Sequence, residues 1–249
     1  AATDVPRSDL LVYLARTLPE GMLLGLLAAG VAALTAALSA SSRRDPQADR
    51  RLRLQLLSIA TAALFPVVFF ILARPTAYNG MRHFLFILPP LAVLAAVGVE
   101  DTWRHLRGGW RHALLGCGVA FASLPIVRMV ALHPYEYIYY NDLMGGLRAA
   151  VDRFDLDYWG VSVAETTRAL AAIERSAGEA SPPRPWRVAV LAEETSAKPF
   201  LSPFMALTDT DDAADFVIDL CPCEVPPGGR IVAQTQRSGV VLSQAYDMR

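Results

Sequence analysis

Four stretches of this sequence are long and apolar enough to cross a lipid bilayer, and they constrain the fold more than any other feature. A membrane-spanning helix needs about 20 predominantly apolar residues, within a range of about 17 to 25. A chain of 249 residues that is 53% hydrophobic has the composition to supply several such helices. The four stretches cover approximately residues 21–42, 54–73, 83–99 and 113–132. We therefore predict a bundle of about four transmembrane helices over residues 20–132.

Proline and arginine residues mark three of these spans. Pro66 lies inside the second span, and the adjacent Pro89 and Pro90 lie inside the third. The third span is expected to be kinked or broken there, because proline removes a backbone hydrogen bond. Arg128 lies about one helical turn before the end of the fourth span. At such a position the charged end of arginine can reach the membrane surface, so a structural role is favoured for it over a functional one.

The placement of arginine predicts the orientation, since basic residues in short loops are retained on the cytoplasmic side. The loops after the first and third spans are rich in arginine, whereas the loop between the second and third spans has only Arg74 and Arg82. This loop is therefore predicted to lie outside. Residues 1–19, which form an amphipathic or re-entrant segment, and residues 133–249 are expected on the same side.

Residues 133–249 have the pattern of a small α/β domain. Residues 159–178 predict an amphipathic helix. Its apolar face is expected to contain Val163, Thr167, Leu170 and Ile173. Short runs of β-branched residues predict a sheet of three or four strands, the last two joined as a hairpin across residues 237–239. The fold class is an α-helical transmembrane bundle followed by a small extracytoplasmic α/β domain.

Sequence motifs of common soluble enzymes are absent. The chain has no phosphate-binding glycine loop, no nucleophile elbow and no HExxH pattern. Its one lysine is Lys198, and no basic run follows the spans, so nucleic acid is not an expected partner. Cys221 and Cys223 are interpreted as turn thiols or a partly oxidised pair, since two ligands do not make a zinc site. Cys117 is interpreted as a packing residue of the fourth span. No metal site and no catalytic residue are predicted.

The loop before the third span has the chemistry of a phosphate contact. Its candidate residues are Tyr78, Asn79, Arg82 and His83. Arginine holds a phosphate with two parallel charge-assisted hydrogen bonds, which lysine does less specifically. A lipid-linked phosphate is the expected ligand at this position. The alternative is that Arg82 only reaches out to lipid headgroups, as interfacial arginines do.

The stretch HPYEYIYYNDLMGGLRAAVDRFDLDYWG, residues 133–160, combines tyrosines with acidic, amide and glycine residues. Tyrosine is common where a helix leaves a membrane, which explains part of the pattern. Aromatic faces beside carboxylates and amides are also typical of sugar-binding surfaces. The candidate acceptor or sugar contacts are Tyr140, Asn141, Asp157, Tyr158 and Trp159. The alternative is a compact loop that its own aromatic residues pack onto the membrane surface.

Three segments carry a likeness to a known family. They are NGMRHFLFILPPLAVLAA, HPYEYIYYNDLMGG and DYWGVSVAE. Together they resemble the C-terminal portion of bacterial integral-membrane glycosyltransferases of the GT-C class, relatives of the protein O-mannosyltransferase family. The resemblance is best over about residues 74–98 and 133–170. Elsewhere it is a likeness of layout, with spans followed by an outer α/β domain.

This resemblance implies transfer of a sugar from a polyprenyl-phosphate carrier, the donor substrate, to a glycan or protein acceptor. The reaction would take place at the outer face of a bacterial inner membrane, by inversion with a carboxylate as general base. It implies that Arg82 meets the carrier phosphate. The catalytic aspartate of that class lies in a first outer loop for which this sequence has no matching segment. We therefore expect the catalytic half in an upstream part of the protein or in a partner subunit, and this chain alone to be inactive. Asp155 and Asp157 are candidate contacts and not bases.

Two other classes of function are compatible with the pattern. In the first, the chain is a non-enzymatic membrane-anchored module whose outer domain binds an envelope glycan or a partner protein. In the second, it is a transporter, which is weaker because the predicted spans lack the buried acidic residue that couples ions.

Overall fold

A computed structural model of the chain describes residues 8–38, 46–74, 80–151, 153–154, 156–176, 183–209, 213–220 and 225–249. The chain divides into two units. The first contains Ala1–Arg128 and Tyr140–Gly146, and the second contains Met129–Tyr139 and Leu147–Arg249. The stretch 133–160, which the sequence analysis assigns whole to the outer domain, is thereby divided between the two units.

The first unit is helical. Its helices are α1 (Asp9–Thr17), α2 (Glu20–Leu38), α3 (Pro46–Ala73), a 3-10 helix (Gly80–Ile87), α4 (Leu88–His105) and α5 (Gly109–Leu132), whose last four residues belong to the second unit. The regions Glu20–Leu38, Arg50–Ala73, His83–His105 and Gly109–Leu132 are long and apolar enough to cross a membrane. The prediction of four such helices is confirmed.

The third of these regions is a broken helix, as predicted. A 3-10 helix changes to an α-helix at Leu88, so that Pro89 and Pro90 occupy the first turn of α4. A proline in the first turn costs little, because its missing N–H would have no partner within the helix anyway. The proline pair therefore starts a helix here and does not kink one. In contrast, α3 continues through Pro66.

Helices α2 and α4 approach each other backbone to backbone. A Cβ atom built on Gly25 of α2 would lie 2.7 Å from the carbonyl oxygen of Ala95. A Cβ atom on Gly98 of α4 would overlap the backbone of Gly25 and Ala29. Small residues permit such close packing between membrane helices, where dispersion contacts replace the hydrophobic driving force.

Helix α1 is amphipathic, as its leucine spacing predicts. Leu10, Leu14 and Leu18 are buried in one cluster with residues of the later helices. Those partners are Ala63, Val67 and Phe70 of α3, Ile87 of the 3-10 helix and Leu91 of α4. Leu11 is half exposed on the other side of α1. The short helix therefore covers the C-terminal part of α3 with its apolar stripe.

In its described residues, the second unit contains a five-stranded mixed sheet and the α-helix α6 (Val161–Ser176). The strands are β1 (Trp186–Val190), β2 (Met205–Leu207), β3 (Phe216–Leu220), β4 (Arg230–Arg237) and β5 (Val240–Asp247), in the order β2-β1-β3-β5-β4. β1 pairs in parallel with β2 and β3, and the other pairings are antiparallel. The described sheet has one strand more than the upper predicted number of four. The short strand β2 has only three residues and gives no alternating pattern, so the sequence does not reveal it.

Local patterns in the second unit are largely confirmed. β4 and β5 form the predicted hairpin, whose turn has φ of 50° at Ser238 and 76° at Gly239, as type I′ turns require. On α6, Val163, Thr167 and Leu170 are buried as predicted, but Ile173 is 44% exposed. The prediction for Ile173 is wrong because the buried stripe passes through Thr166 and Ala171, which leaves that side chain at its edge.

Four arginines of the second unit gather around two buried aspartates. Arg184 donates two hydrogen bonds to Asp215, at 2.6 and 2.8 Å, and Arg187 lies beside the same carboxylate. Arg230 and Arg249 both pair with Asp247. The sequence shows no basic run here, because the sheet brings together residues that are far apart along the chain.

The Asp215 carboxylate should make the second unit sensitive to acid. The hydrogen bonds from Arg184 hold the pKa of Asp215 below its usual value, although burial opposes them. A carboxyl with a lowered folded-state pKa stabilises the fold above about pH 4, its unfolded value, and loses this effect as the pH falls through the folded value. We expect Asp215→Asn to cost about 1–3 kcal/mol at neutral pH and to reduce the destabilisation by acid.

Hydrogen exchange of β1 and β3 in the whole chain, corrected for intrinsic rates, measures this effect at pH 7 and in acid. Glu193→Gln is the control, because that carboxylate accepts from the neutral Thr195 hydroxyl. Equal acid sensitivity of Asp215→Asn and the unaltered chain would contradict the prediction.

Candidate functional site

The predicted phosphate contacts lie before α4 and are described only in part. Tyr78 and Asn79 lie outside the described residues. The backbone of Arg82 belongs to the 3-10 helix Gly80–Ile87, but its side chain also lies outside the described part. His83 follows in the same helix and is exposed. Contact of Arg82 with a carrier phosphate therefore stays a prediction.

Asn141 is completely buried in the first unit, where it caps the C-terminal end of α1. Its side-chain amide donates to the carbonyl oxygens of Ala15 at 2.7 Å and Leu18 at 2.8 Å. Its backbone N–H donates to the carbonyl of Arg16 at 2.7 Å, and its Oδ1 accepts from the N–H of Met144 at 3.0 Å. The last carbonyls of a helix have no hydrogen-bond donors within the helix, and Asn141 donates to three carbonyls at this end of α1.

Tyr140, like Asn141, contacts α1. Its side chain is buried, and its ring meets the ring of Tyr13 edge to face, with 6.1 Å between the centroids. Tyr140 and Asn141 were both predicted on the acceptor side, and in the first unit each contacts α1. Their surroundings favour a role in holding the 140–146 segment, since little of either side chain reaches the surface.

Asp142 joins the first and last apolar helices of the first unit, which sequence reasoning missed. Its N–H donates to Oε1 of Glu20 at 2.8 Å, and its Oδ2 accepts from Nε of Arg128 at 2.7 Å. Glu20 is the first residue of α2 and is completely buried. The sequence suggests no partner for Arg128, but in the structure this arginine pairs with the carboxylate of Asp142 in the tyrosine-rich stretch.

In the second unit, the side chain of Asp157 caps the start of α6 from a position four residues before Val161, the first helical residue. Its two carboxylate oxygens accept from the backbone N–H groups of Val161 at 3.0 Å and Ser162 at 2.7 Å. The hydroxyl of Tyr137 donates to the same carboxylate. Only 1% of Asp157 is exposed. This carboxylate holds its neighbours in place, because its oxygens are engaged within the protein.

Three aromatic side chains adjoin Asp157. The ring of Tyr158 lies between those of Tyr137 and Trp159, with 5.7 Å between centroids in each pair. Trp159 is 51% exposed, so part of its indole face is open to a ligand. Burial and the hydrogen bond to Asp157 raise the pKa of Tyr137 far above its usual value, so that this hydroxyl stays a hydrogen-bond donor. Asp157, Tyr158 and Trp159 are neighbours in the chain, and of the three only Trp159 is exposed, so a sugar contact stays a prediction.

A second polar network of this unit connects Tyr135, Glu165 and Arg237. Tyr135 donates to Oε2 of Glu165 at 2.7 Å, and Arg237 donates to the same oxygen at 2.8 Å. The Arg237 guanidinium also lies 4.8 Å from the centre of the Tyr135 ring. Burial opposes ionisation of Glu165, but these hydrogen bonds more than offset it and lower its pKa. The network connects the segment after α5 to α6 and to the tip of the β4–β5 hairpin. No local sequence pattern predicts it, because its three residues are far apart along the chain.

The remaining predictions concern metals and cysteines. Among the residues that the structure describes, no group of three or more His, Cys, Asp or Glu side chains is placed to hold a metal ion. Asp155, Cys221 and Cys223 lie outside those residues. Cys117 of α5 is an exposed free thiol, so its interpretation as a packing residue within this chain is wrong. It lies on a helix whose apolar surface is largely uncovered.

Comparison with protein-family models, curated proteins and solved structures finds no match to this chain.

Proposed function

We propose that this chain is the C-terminal part of a membrane glycosyltransferase. It would help to move a sugar from a polyprenyl-phosphate carrier to an acceptor at the extracytoplasmic face of a bacterial inner membrane. The observation that carries this proposal is the half-exposed indole of Trp159, fixed beside Tyr158 and Asp157 in a chain with four apolar helices. An aromatic face next to hydrogen-bonding groups suits a sugar ring, which has apolar C–H faces and polar hydroxyls.

Insertion of α2 to α5 into the membrane is part of the proposal. An even number of crossings returns the chain to its starting side, so the start of α2 and the end of α5 should lie at the same membrane face. Asp142 supports this arrangement, because it bonds both to Glu20 at the start of α2 and to Arg128 near the end of α5. The arginine-rich loops after the first and third spans favour a cytoplasmic location for the opposite face.

The roles of the candidate residues follow from their burial. Arg82, helped by Tyr78, Asn79 and His83, would hold the carrier phosphate, since the bidentate guanidinium suits that group. Trp159 and Tyr158 would contact the sugar or acceptor. Asp157, Asn141 and Tyr140 are positioning residues in this proposal, because they are buried. The catalytic carboxylate would come from an upstream part of the protein or from a partner subunit.

Arg82→Ala is the substitution that tests the proposal. Loss of charge-assisted hydrogen bonds worth about 1.5–3 kcal/mol should weaken carrier binding by about 10- to 100-fold, and transfer with it. Photo-crosslinking of a diazirine-bearing polyprenyl phosphate to the natively expressed protein, in its own membranes, measures the binding. Arg104→Ala is the matched control, because Arg104 is an exposed arginine at the opposite end of the same helical region. Unchanged crosslinking and transfer after Arg82→Ala would overturn the proposal.

A second function, a membrane-anchored module that binds an envelope glycan, is favoured by one observation. The cluster of Asp157, Tyr158 and Trp159 lies wholly within the second unit, which has hydrophobic clusters of its own. A binder predicts that Trp159→Ala removes glycan binding while Arg82→Ala leaves it unchanged. The glycosyltransferase predicts that Arg82→Ala weakens transfer by about 10- to 100-fold. Both variants, each assayed for glycan retention and for transfer, separate the two functions.

A further inference from the structure

The 3-10 turn Asp142–Met144 presents two apolar side chains on a rigid backbone. Leu143 is 53% exposed and Met144 is 41% exposed. The turn is fixed by the bond from Met144 N–H to Asn141 Oδ1, and by the bonds from Gly145 N–H to Asp142 and from Gly146 N–H to the Asn141 carbonyl. Gly145 and Gly146 have φ of 92° and 64°, which glycine adopts without strain. Hydrogen bonds within residues 141–146 therefore hold the backbone that carries these two exposed side chains.

The contacts of Asp142 fix the level of this turn relative to the apolar helices of the first unit. Glu20, which accepts from the Asp142 N–H, is the first residue of α2. Arg128, which donates to the Asp142 carboxylate, lies four residues before Leu132, the last residue of α5. Four residues of helix correspond to about 6 Å along its axis. The turn thus lies level with the ends of two helices that are apolar enough to span a membrane.

The helix surface beside this level is apolar as well. Ile126 and Val127 of α5, next to Arg128 in the chain, are exposed on the first unit. Polar groups at this depth pair with each other, as Asp142 and Arg128 do. A charged pair beside exposed apolar side chains matches the boundary between lipid headgroups and acyl chains, where both kinds of group are accommodated.

We propose that Leu143 and Met144 insert into this boundary of the bilayer, so that lipid covers the Asp142–Met144 turn. The inference rests on the proposed membrane insertion of α2 to α5. Lipid is the chosen occupant because the turn lies level with the ends of α2 and α5, two helices apolar enough to span a membrane.

Leu143→Cys carrying an environment-sensitive NBD fluorophore tests the proposal. The whole chain, with Cys117, Cys221 and Cys223 replaced by alanine, is reconstituted into vesicles of phosphatidylcholine and phosphatidylglycerol. A nitroxide near the head of the acyl chain should quench the label at least about twofold more strongly than aqueous iodide, since interfacial groups lie about 5–10 Å into this boundary. Met144→Cys gives a second probe if the first variant fails to fold. Leu191→Cys, an exposed leucine of the second unit, gives the matched reference.

Leu27→Cys, on the exposed face of α2, reports whether the spans are inserted. Lipid quenching at Leu27 and at Leu143 supports the inference. Lipid quenching at Leu27 with iodide quenching at Leu143 and Met144 overturns the inference and leaves membrane insertion standing. Iodide quenching at Leu27 as well overturns both. Quenching of Leu143 and Met144 by neither agent, with Leu27 in lipid, also overturns it, because protein would then cover the turn.

Discussion

Gly98→Ala should lower the melting temperature of the detergent-solubilised protein by about 2–12 °C, although the change adds a single methyl group. The new Cβ atom would overlap the backbone of Gly25 and Ala29, which cannot rotate away as a side chain would. Helices α2 and α4 would have to separate, and overpacking of this kind costs about 1–3 kcal/mol. Thermal unfolding followed by far-UV circular dichroism measures the effect.

Gly116→Ala is the matched control for this prediction. A Cβ atom on Gly116 of α5 meets nothing within 4 Å. The same substitution should therefore be neutral or stabilise the helix by up to about 1 kcal/mol, since alanine is the better helix former. Gly98→Ala is therefore expected to lower the melting temperature, whereas Gly116→Ala should leave it unchanged or raise it. Equal shifts would contradict the close approach of α2 and α4.

The parts of the fold that the sequence predicts correctly are those with a local cause. Apolar length alone marks the four candidate spans, and the Pro89-Pro90 pair marks the break in the third. The β4–β5 hairpin follows from Ser238 and Gly239 between two β-branched runs. In each case a few neighbouring residues decide the backbone, so no distant contact is needed to predict it.

Asp157 belongs to two overlapping patterns, a candidate sugar-binding cluster and the start of a helix. Its place beside Tyr158 and Trp159 favoured a direct sugar contact. An aspartate a few residues before an amphipathic helix can also accept from the free N–H groups of the first helical turn, and Asp157 does so in the structure. The helix-start pattern by itself predicts a buried positioning role for Asp157.

Other residues have functions that no local pattern reveals. Asn141 bonds to α1 across more than 120 positions of sequence. The ion pairs of Asp215 and Asp247 lie at neighbouring positions because β3 and β5 pair Phe216 with Asp247. Such contacts depend on how helices and strands pack and on the register of the strands, which local patterns in a single sequence do not reveal.

Asn141→Leu should release α1 from the rest of the first unit. The substitution keeps the approximate size of the side chain but leaves the carbonyls of Ala15 and Leu18 and the N–H of Met144 without this partner. Each buried polar group that loses its hydrogen bond costs about 1–3 kcal/mol. A net loss of about 3–6 kcal/mol should speed local exchange of the α1 amides by at least about 100-fold, because every 1.4 kcal/mol is tenfold.

Hydrogen–deuterium exchange of the whole chain in detergent measures this loss, with α1 (Asp9–Thr17) compared against α4 in the same sample. Gln55→Leu is the control, because it makes the same amide-to-leucine change at an exposed position of α3. Faster exchange confined to α1 would show that Asn141 holds the amphipathic segment against the helices, which no exposed ligand contact would do. Unchanged exchange in α1 would instead mean that Leu10, Leu14 and Leu18 suffice to hold it, and that the buried amide has another purpose.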